Sequence, residues 1–311
     1  MIRITNLTKK YADKIAVNNI SFQVQPGVVT GFLGPNGAGK STTIKMILNL
    51  VIPSAGKVTV DEKVYSMLES PLRKIGAMVD ANTIDRRLNP KQYLHILAST
   101  SGLEKEKVEE VLTLVGLKEV ENKIIGEFSF GMRQRVALAA ALIGDPETII
   151  LDEPFNGLDV DGIHWLRKIL RDLAKRGKAV LISSHLLSEV QEIAERIVLL
   201  AQGELIADMN MAELQEESLS SYVQVRTDNT PKLYEVLKSE GVSVEMTQEN
   251  LLRVRKMSPK LIGDRAFEQG LRIYELATHQ PSLEELFAEL VEGRTQYRGT
   301  NLSDGKKESV Q

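Results

Sequence analysis

The sequence predicts an α/β protein: a parallel sheet covered on both faces, followed by a smaller α+β unit. Three observations carry this expectation. Two near-continuous apolar runs, 148–151 and 179–183, flank a helical pattern over 161–176, as strands buried on both faces do. A glycine-rich run, Gly34-Pro35-Asn36-Gly37-Ala38-Gly39-Lys40-Ser41-Thr42, sits between a strand-like segment and a helical one. Beyond residue 220 the segments follow the order β-α-β-β-α-β.

Taken in order, Ile2 and Ile4, then Ile20, Phe22 and Val24, alternate with polar residues. They predict antiparallel strands with one exposed face. Pro26-Gly27 marks a turn before a strand over 28–33, and a helix follows over 43–48. Pro53-Ser54-Ala55-Gly56 breaks the chain ahead of a strand over 57–61. Residues 89–143 are rich in helical pattern, with Pro90 opening one helix and an amphipathic segment over 104–115. A strand over 197–200 ends at the turn Gln202-Gly203. A boundary falls near 213–221, which gives a first domain over 1–215 and a second over 220–292. In the second, strands over 222–225, 242–246, 251–254 and 271–276 and helices over 231–239 and 259–269 match a ferredoxin-like order. Ser282 and Glu285 form a capping box for a last helix reaching residue 292, and the polar residues 294–311 read as a disordered tail.

Composition narrows the function classes. The chain has 311 residues, 42% of them hydrophobic and 26% charged, which suits a globular protein with a sizeable core. A net charge of -3 without a basic block argues against nucleic acid as a main partner. The absence of cysteine excludes disulfides, thiolate metal sites and cysteine nucleophiles. The alternating N-terminus reads as a strand and not a signal peptide. The longest apolar stretch, 136–144, is too short to cross a bilayer, so work at a membrane needs a span from another chain.

The glycine-rich run matches the phosphate-binding pattern G-x-x-x-x-G-K-[ST] in full. Gly34, Gly37 and Gly39 let backbone N–H groups turn inward around an anion, and the following helix points its positive end at the same place. Asn36 and Thr42 complete the loop. Lys40 is expected to reach the β- and γ-phosphates, and Ser41 to place a hydroxyl on Mg²⁺. Ile149-Ile150-Leu151-Asp152-Glu153 is an apolar strand ending in two acids. Asp152 is placed to hold Mg²⁺, and Glu153 to take a proton from an attacking water.

With these, Phe128-Ser129-Phe130-Gly131-Met132-Arg133-Gln134-Arg135 stands where ATP-binding cassette (ABC) transporter ATPases carry their signature sequence, usually LSGGQ. Gly157-Leu158-Asp159 resembles the D-loop of that family, and Ser183-Ser184-His185 its H-loop, with His185 as the switch histidine. Tyr11 matches the aromatic residue that stacks on adenine. The resemblance covers residues 1–215, and within the family the chain looks most like the bacitracin and lantibiotic self-protection group of ABC-2-type exporters. Its closing Leu283-Glu284-Glu285-Leu286-Phe287 resembles the tail of such cassettes. The resemblance implies a P-loop NTPase cassette with a RecA-like core, an antiparallel β subdomain and a helical subdomain over 89–143. It implies ATP and Mg²⁺ as cofactors, ATP hydrolysis coupled to transport, and His185 orienting water and phosphate. It also implies a head-to-tail pair of cassettes in which Ser129, Gly131 and Asp159 serve a shared nucleotide. A separate membrane permease would be the partner, at the cytoplasmic face of the membrane, with antimicrobial peptide or drug as cargo.

Two departures stand out. Phe128, Phe130 and Met132 replace the common Leu, Gly and Gln of the signature, so the second glycine's freedom is lost. Asp80 stands where the family's Q-loop has glutamine; a carboxylate accepts from water or binds Mg²⁺ but cannot donate as an amide does. Trp165 is expected to pack and carries no chemistry. Two alternatives stay open: a cassette ATPase acting on ribosomes or DNA, disfavoured by the single P-loop and the lack of heptads, and a slowly hydrolysing regulatory switch, which the Asp80 departure keeps open.

Overall fold

Period-two apolar patterning builds both ends of the chain. The computed structural model describes residues 1–80, 83–217, 221–247 and 249–286. β1 (Ile2–Tyr11) and β2 (Lys14–Val24) pair antiparallel, with Ile2 opposite Val24 and Ile4 opposite Phe22. β3 (Val29–Leu33) enters a second sheet and leads through the glycine-rich loop into α1 (Lys40–Ile47). β4 (Ala55–Val60) returns to the free side of β1, giving a three-stranded antiparallel sheet in the order β2-β1-β4.

α2 (Pro71–Lys74) and β5 (Ile75–Met78) precede the predicted helical region. There α3 (Pro90–Thr100) starts as expected: Asn89 and Gln92 form a capping box and Pro90 occupies the first turn. α4 (Glu106–Leu114) and α5 (Phe130–Leu142) complete it. The chain then alternates through β6 (Thr148–Asp152), α6 (Val160–Lys175), β7 (Ala179–Ser184), α7 (Leu187–Gln191) and β8 (Arg196–Ala201). β9 (Glu204–Asn210) closes the sheet and α8 (Met211–Glu217) follows it. The six strands lie in the order β5-β6-β7-β3-β8-β9, parallel except for β9.

The apolar strands feed two cores at once. Ile149 and Leu151 pack with α5 and α6 on one face, while Ile150 packs with α1 and the antiparallel sheet on the other. This is why their sequence is continuously apolar and not alternating. Gly76 on β5 lets α5 approach closely: a Cβ there would lie 1.8 Å from the Ala141 carbonyl oxygen. The sheet therefore fixes where α5 ends.

The C-terminal unit comprises β10 (Tyr222–Thr227), α9 (Thr230–Ser239), β11 (Val244–Met246), β12 (Leu252–Val254), α10 (Pro259–Glu268) and β13 (Ile273–His279). Its sheet order, β11-β12-β10-β13, is antiparallel throughout, the split β-α-β arrangement. It has its own core, built around Val223, Val225, Leu233, Leu252 and Ile262. Residues 283–286 are helical, and Leu283 and Leu286 are buried in the same core as Val190, Ile193, Met211 and Leu214 of the first unit. The predicted tail over 294–311 and Phe287 lie outside the described residues.

Candidate active site

The carboxyl ends of β3, β5, β6 and β7 converge on one edge of the parallel sheet, where open α/β folds bind ligands. The loop after β3 is shaped by collisions it must avoid. Gly34 has φ +153°, and a Cβ there would come 2.2 Å from the Leu200 carbonyl oxygen. Gly39 has φ +107°, and its Cβ would come 2.6 Å from that of Ala16. Gly39 is also the N-cap of α1 and supplies no capping side chain, so the helix start is left to backbone N–H groups. Lys40 is buried, and its Nζ donates to the carbonyls of Gly34 (2.6 Å) and Pro35 (3.3 Å). Burial lowers its pKa, while the charges of Glu153 and Asp152 oppose that shift. Both acids therefore act on the Lys40 ammonium. Asn36, Gly37 and Ser41 are exposed, and Thr42 is half-buried.

β6 delivers those acids. Asp152 ends the strand and accepts a hydrogen bond from the Ser183 hydroxyl of the neighbouring β7. Glu153 has φ +52°, the left-handed region, which costs a non-glycine residue about 1–2 kcal/mol. That backbone is held by its N–H, which donates to both the carbonyl and the Oγ of Ser183, each at 3.1 Å. Glu153 Oε2 accepts from the His185 backbone N–H (3.2 Å) and lies 2.7 Å from His185 Nδ1. Lys40, Asp152, Glu153 and His185 thus form one group. Asp80 lies two residues past the end of β5, and its carbonyl accepts from Thr83 N (3.3 Å) and Oγ1 (2.7 Å).

A second group sits at the start of α5. Ser129 caps that helix, its Oγ accepting from Met132 N at 3.2 Å. Phe130 does not adopt a positive φ, so the freedom of a glycine is not needed at this position. Its ring lies against Gly157, where a Cβ would be 2.0 Å from Phe130 Cδ1. Gly131 faces the carbonyl of the same Gly157. Asp159 caps α6 by accepting from Gly162 N (2.8 Å). Gln134 on α5 donates to the Asn156 carbonyl (3.3 Å), and the Arg135 guanidinium stacks on Trp165, 4.0 Å from its centroid. The starts of α5 and α6 are therefore locked together. Tyr11 stands apart at the end of β1, 48% exposed, with Lys9 Nζ 4.9 Å from its ring centroid.

The family profile described as ABC transporter matches residues 17–156. The bacitracin transport ATP-binding protein BcrA of Bacillus licheniformis is 34% identical over 95% of this chain and 98% of its own length. The chain belongs to the ABC transporter ATP-binding protein family. The lantibiotic transport ATP-binding protein SrtF of Streptococcus pyogenes is 35% identical over 67% of this chain and 90% of its own. Among solved structures, a dimeric ATP-binding cassette in a post-hydrolysis state bound to ADP and Pi superposes with a TM-score of 0.62 and 26% identity, over 68% of this chain and 99% of that one. A profile for a domain of unknown function, DUF8746, matches residues 221–284.

As a member of this family the chain is an ATP-binding, ATP-hydrolysing cassette. Its first group of residues joins the glycine-rich loop to the acid-ended strand β6 and His185, and its second joins the starts of α5 and α6. Among the described residues no cluster of three or more His, Asp and Glu side chains forms a ready metal cage. The Asp152 carboxylate and the Ser41 hydroxyl are hard oxygen donors, and such a sparse set fits Mg²⁺ completed by nucleotide phosphate. Sequence reasoning missed the hydroxyl of Ser183 and the pairing of Phe130 with Gly157. A serine ending a fully apolar strand next to an acid-ended one was the signal available for the first. The second joins loops 27 residues apart and leaves no local pattern.

Proposed function

We propose that this chain is the ATP-hydrolysing subunit of an exporter whose membrane-spanning part is a separate protein. In this reading, two cassettes close head-to-tail around two nucleotides and work at the cytoplasmic face of the membrane. The observation that carries the chemistry is the meeting of Asp152, Glu153 and His185 at the carboxyl ends of β6 and β7, next to the strand that leads into the lysine-bearing glycine loop. The likeness to transport ATP-binding proteins over nearly the whole chain supports the exporter reading. Peptide antibiotics of the bacitracin and lantibiotic type are the proposed cargo. Among the described residues no helix is long and apolar enough to cross a membrane, which fits a separate permease.

The residues divide the work. Backbone N–H groups from Gly34 to Thr42, together with Lys40, bind the β- and γ-phosphates. Ser41, Asp152 and Asp80 would hold Mg²⁺, which when bound would supply charge neutralisation at the phosphates. Glu153 accepts the proton of the attacking water, and His185 holds that carboxylate and orients it toward the terminal phosphate. Tyr11 stacks on the adenine. Ser129, Gly131 and Asp159 complete the site of the other copy.

Glu153→Gln tests this. The variant is expected to bind ATP normally, to lose turnover by about 10²–10⁴-fold, and to accumulate as a dimer in ATP on size-exclusion chromatography. Wild-type turnover in the variant would remove Glu153 from the role of base.

A further inference from the structure

Ser183 sits on the face of β7 that packs toward α1, directly opposite Asp152 on β6 and Phe32 on β3. The same face is otherwise lined by Phe32, Ile150 and Leu181, all fully buried. A β-branched apolar residue would pack well in such a slot. A hydroxyl there, with no solvent exposure, needs partners in the protein. It has two, and both belong to the catalytic acids. The single hydroxyl proton goes to Asp152 Oδ1, because an ionised carboxylate can only accept. The Ser183 oxygen then accepts the Glu153 N–H at 3.1 Å, alongside its own carbonyl at the same distance. One side chain therefore orients the carboxylate of the first acid and anchors the left-handed backbone of the second, whose φ is +52°.

We propose that Ser183 is a positioning residue for the hydrolytic site, setting the metal-facing oxygens of Asp152 and the aim of Glu153 through one hydroxyl. This rests on the reading of Asp152 as metal holder and Glu153 as base. Fully buried, Ser183 acts through the two acids, as outer partners of metal ligands do.

The test uses Ser183→Ala and Ser183→Cys in the full chain. Cysteine keeps the slot filled and exchanges a strong donor for a weak one, so the pair separates a lost hydroxyl from a lost volume. Mn²⁺ binding to ATP-loaded protein, followed by electron paramagnetic resonance, is expected to weaken about 10–100-fold in both variants. Turnover is expected to fall by a comparable factor. ATP affinity in the presence of a chelator, which reports the P-loop alone, is expected to stay within about twofold of wild type. Wild-type Mn²⁺ affinity in both variants overturns the proposal, whatever the turnover. Failure of the underlying reading looks different: weakened Mn²⁺ binding in the Ser183 variants alongside full activity in Glu153→Gln retains the hydroxyl's hold on Asp152 and removes Glu153 as base.

Discussion

The glycine-rich loop after β3 and the start of α5 both depend on glycine, yet this chain enforces them by different means. In the P-loop the glycines meet backbone: Gly34 faces the Leu200 carbonyl and Gly39 the Ala16 carbonyl. Backbone inside a sheet does not move aside, and the positive φ angles add a second reason for glycine. At the start of α5 the contact is the Phe130 ring against the bare Cα of Gly157, whose own φ of +69° also favours glycine. Phe130 occupies a position where the common motif has glycine, and the missing Cβ has moved to Gly157, on which the ring rests. A glycine set by backbone contact is fixed in place. At Gly157 a packing contact adds to a positive φ, so shrinking Phe130 removes one of two constraints.

Three variants break or sharpen that contrast. Gly34→Ala has the largest expected effect: a Cβ 2.2 Å from the Leu200 oxygen forces the loop or β8 to shift. Loss of ATP binding and a destabilisation on the order of 3 kcal/mol or more are expected in nucleotide titration and thermal unfolding. Gly157→Ala comes next, with about 1–3 kcal/mol from driving a methyl into the Phe130 ring. Adding Phe130→Gly to it is expected to restore part of that loss. Simple additivity in this double-mutant cycle would dissolve the pairing. Ser129→Ala is the mildest, about 1 kcal/mol for the lost cap of α5. Its ATP affinity as a single copy is expected to be unchanged while ATP-induced dimerisation fails. Intact dimerisation would reduce Ser129 to a cap.

What could be read in the sequence follows the range of the interactions. The P-loop, the acid-ended strand and the two apolar strands are contiguous, and each carries its reason within about ten residues. The helix opening at Pro90 was legible for the same cause, since its cap is a three-residue contact between Asn89 and Gln92. β9 was missed because it is a half-exposed edge strand with no clean alternation. α8 was read as a boundary because charged residues are frequent in it, although Met211 and Leu214 are buried. The loss of the second signature glycine looked like a defect until its long-range partner Gly157 came into view. The bent backbone at Glu153 has no sequence signature, because any side chain can be held there if its N–H is anchored.

The last described helical turn carries a consequence for the C-terminal unit. Leu283 and Leu286 return to the first core, and the Leu283 N–H donates to Gln191 Oε1 at 2.8 Å, on the short helix that follows His185. The unit leaves the cassette through α8 and comes back to it beside α7, so it is stitched down at both ends. Trimming the chain at residue 215 does not simply remove an appendage. It removes Leu283 and Leu286 from the core they share with Val190 and Ile193, on the segment that follows His185.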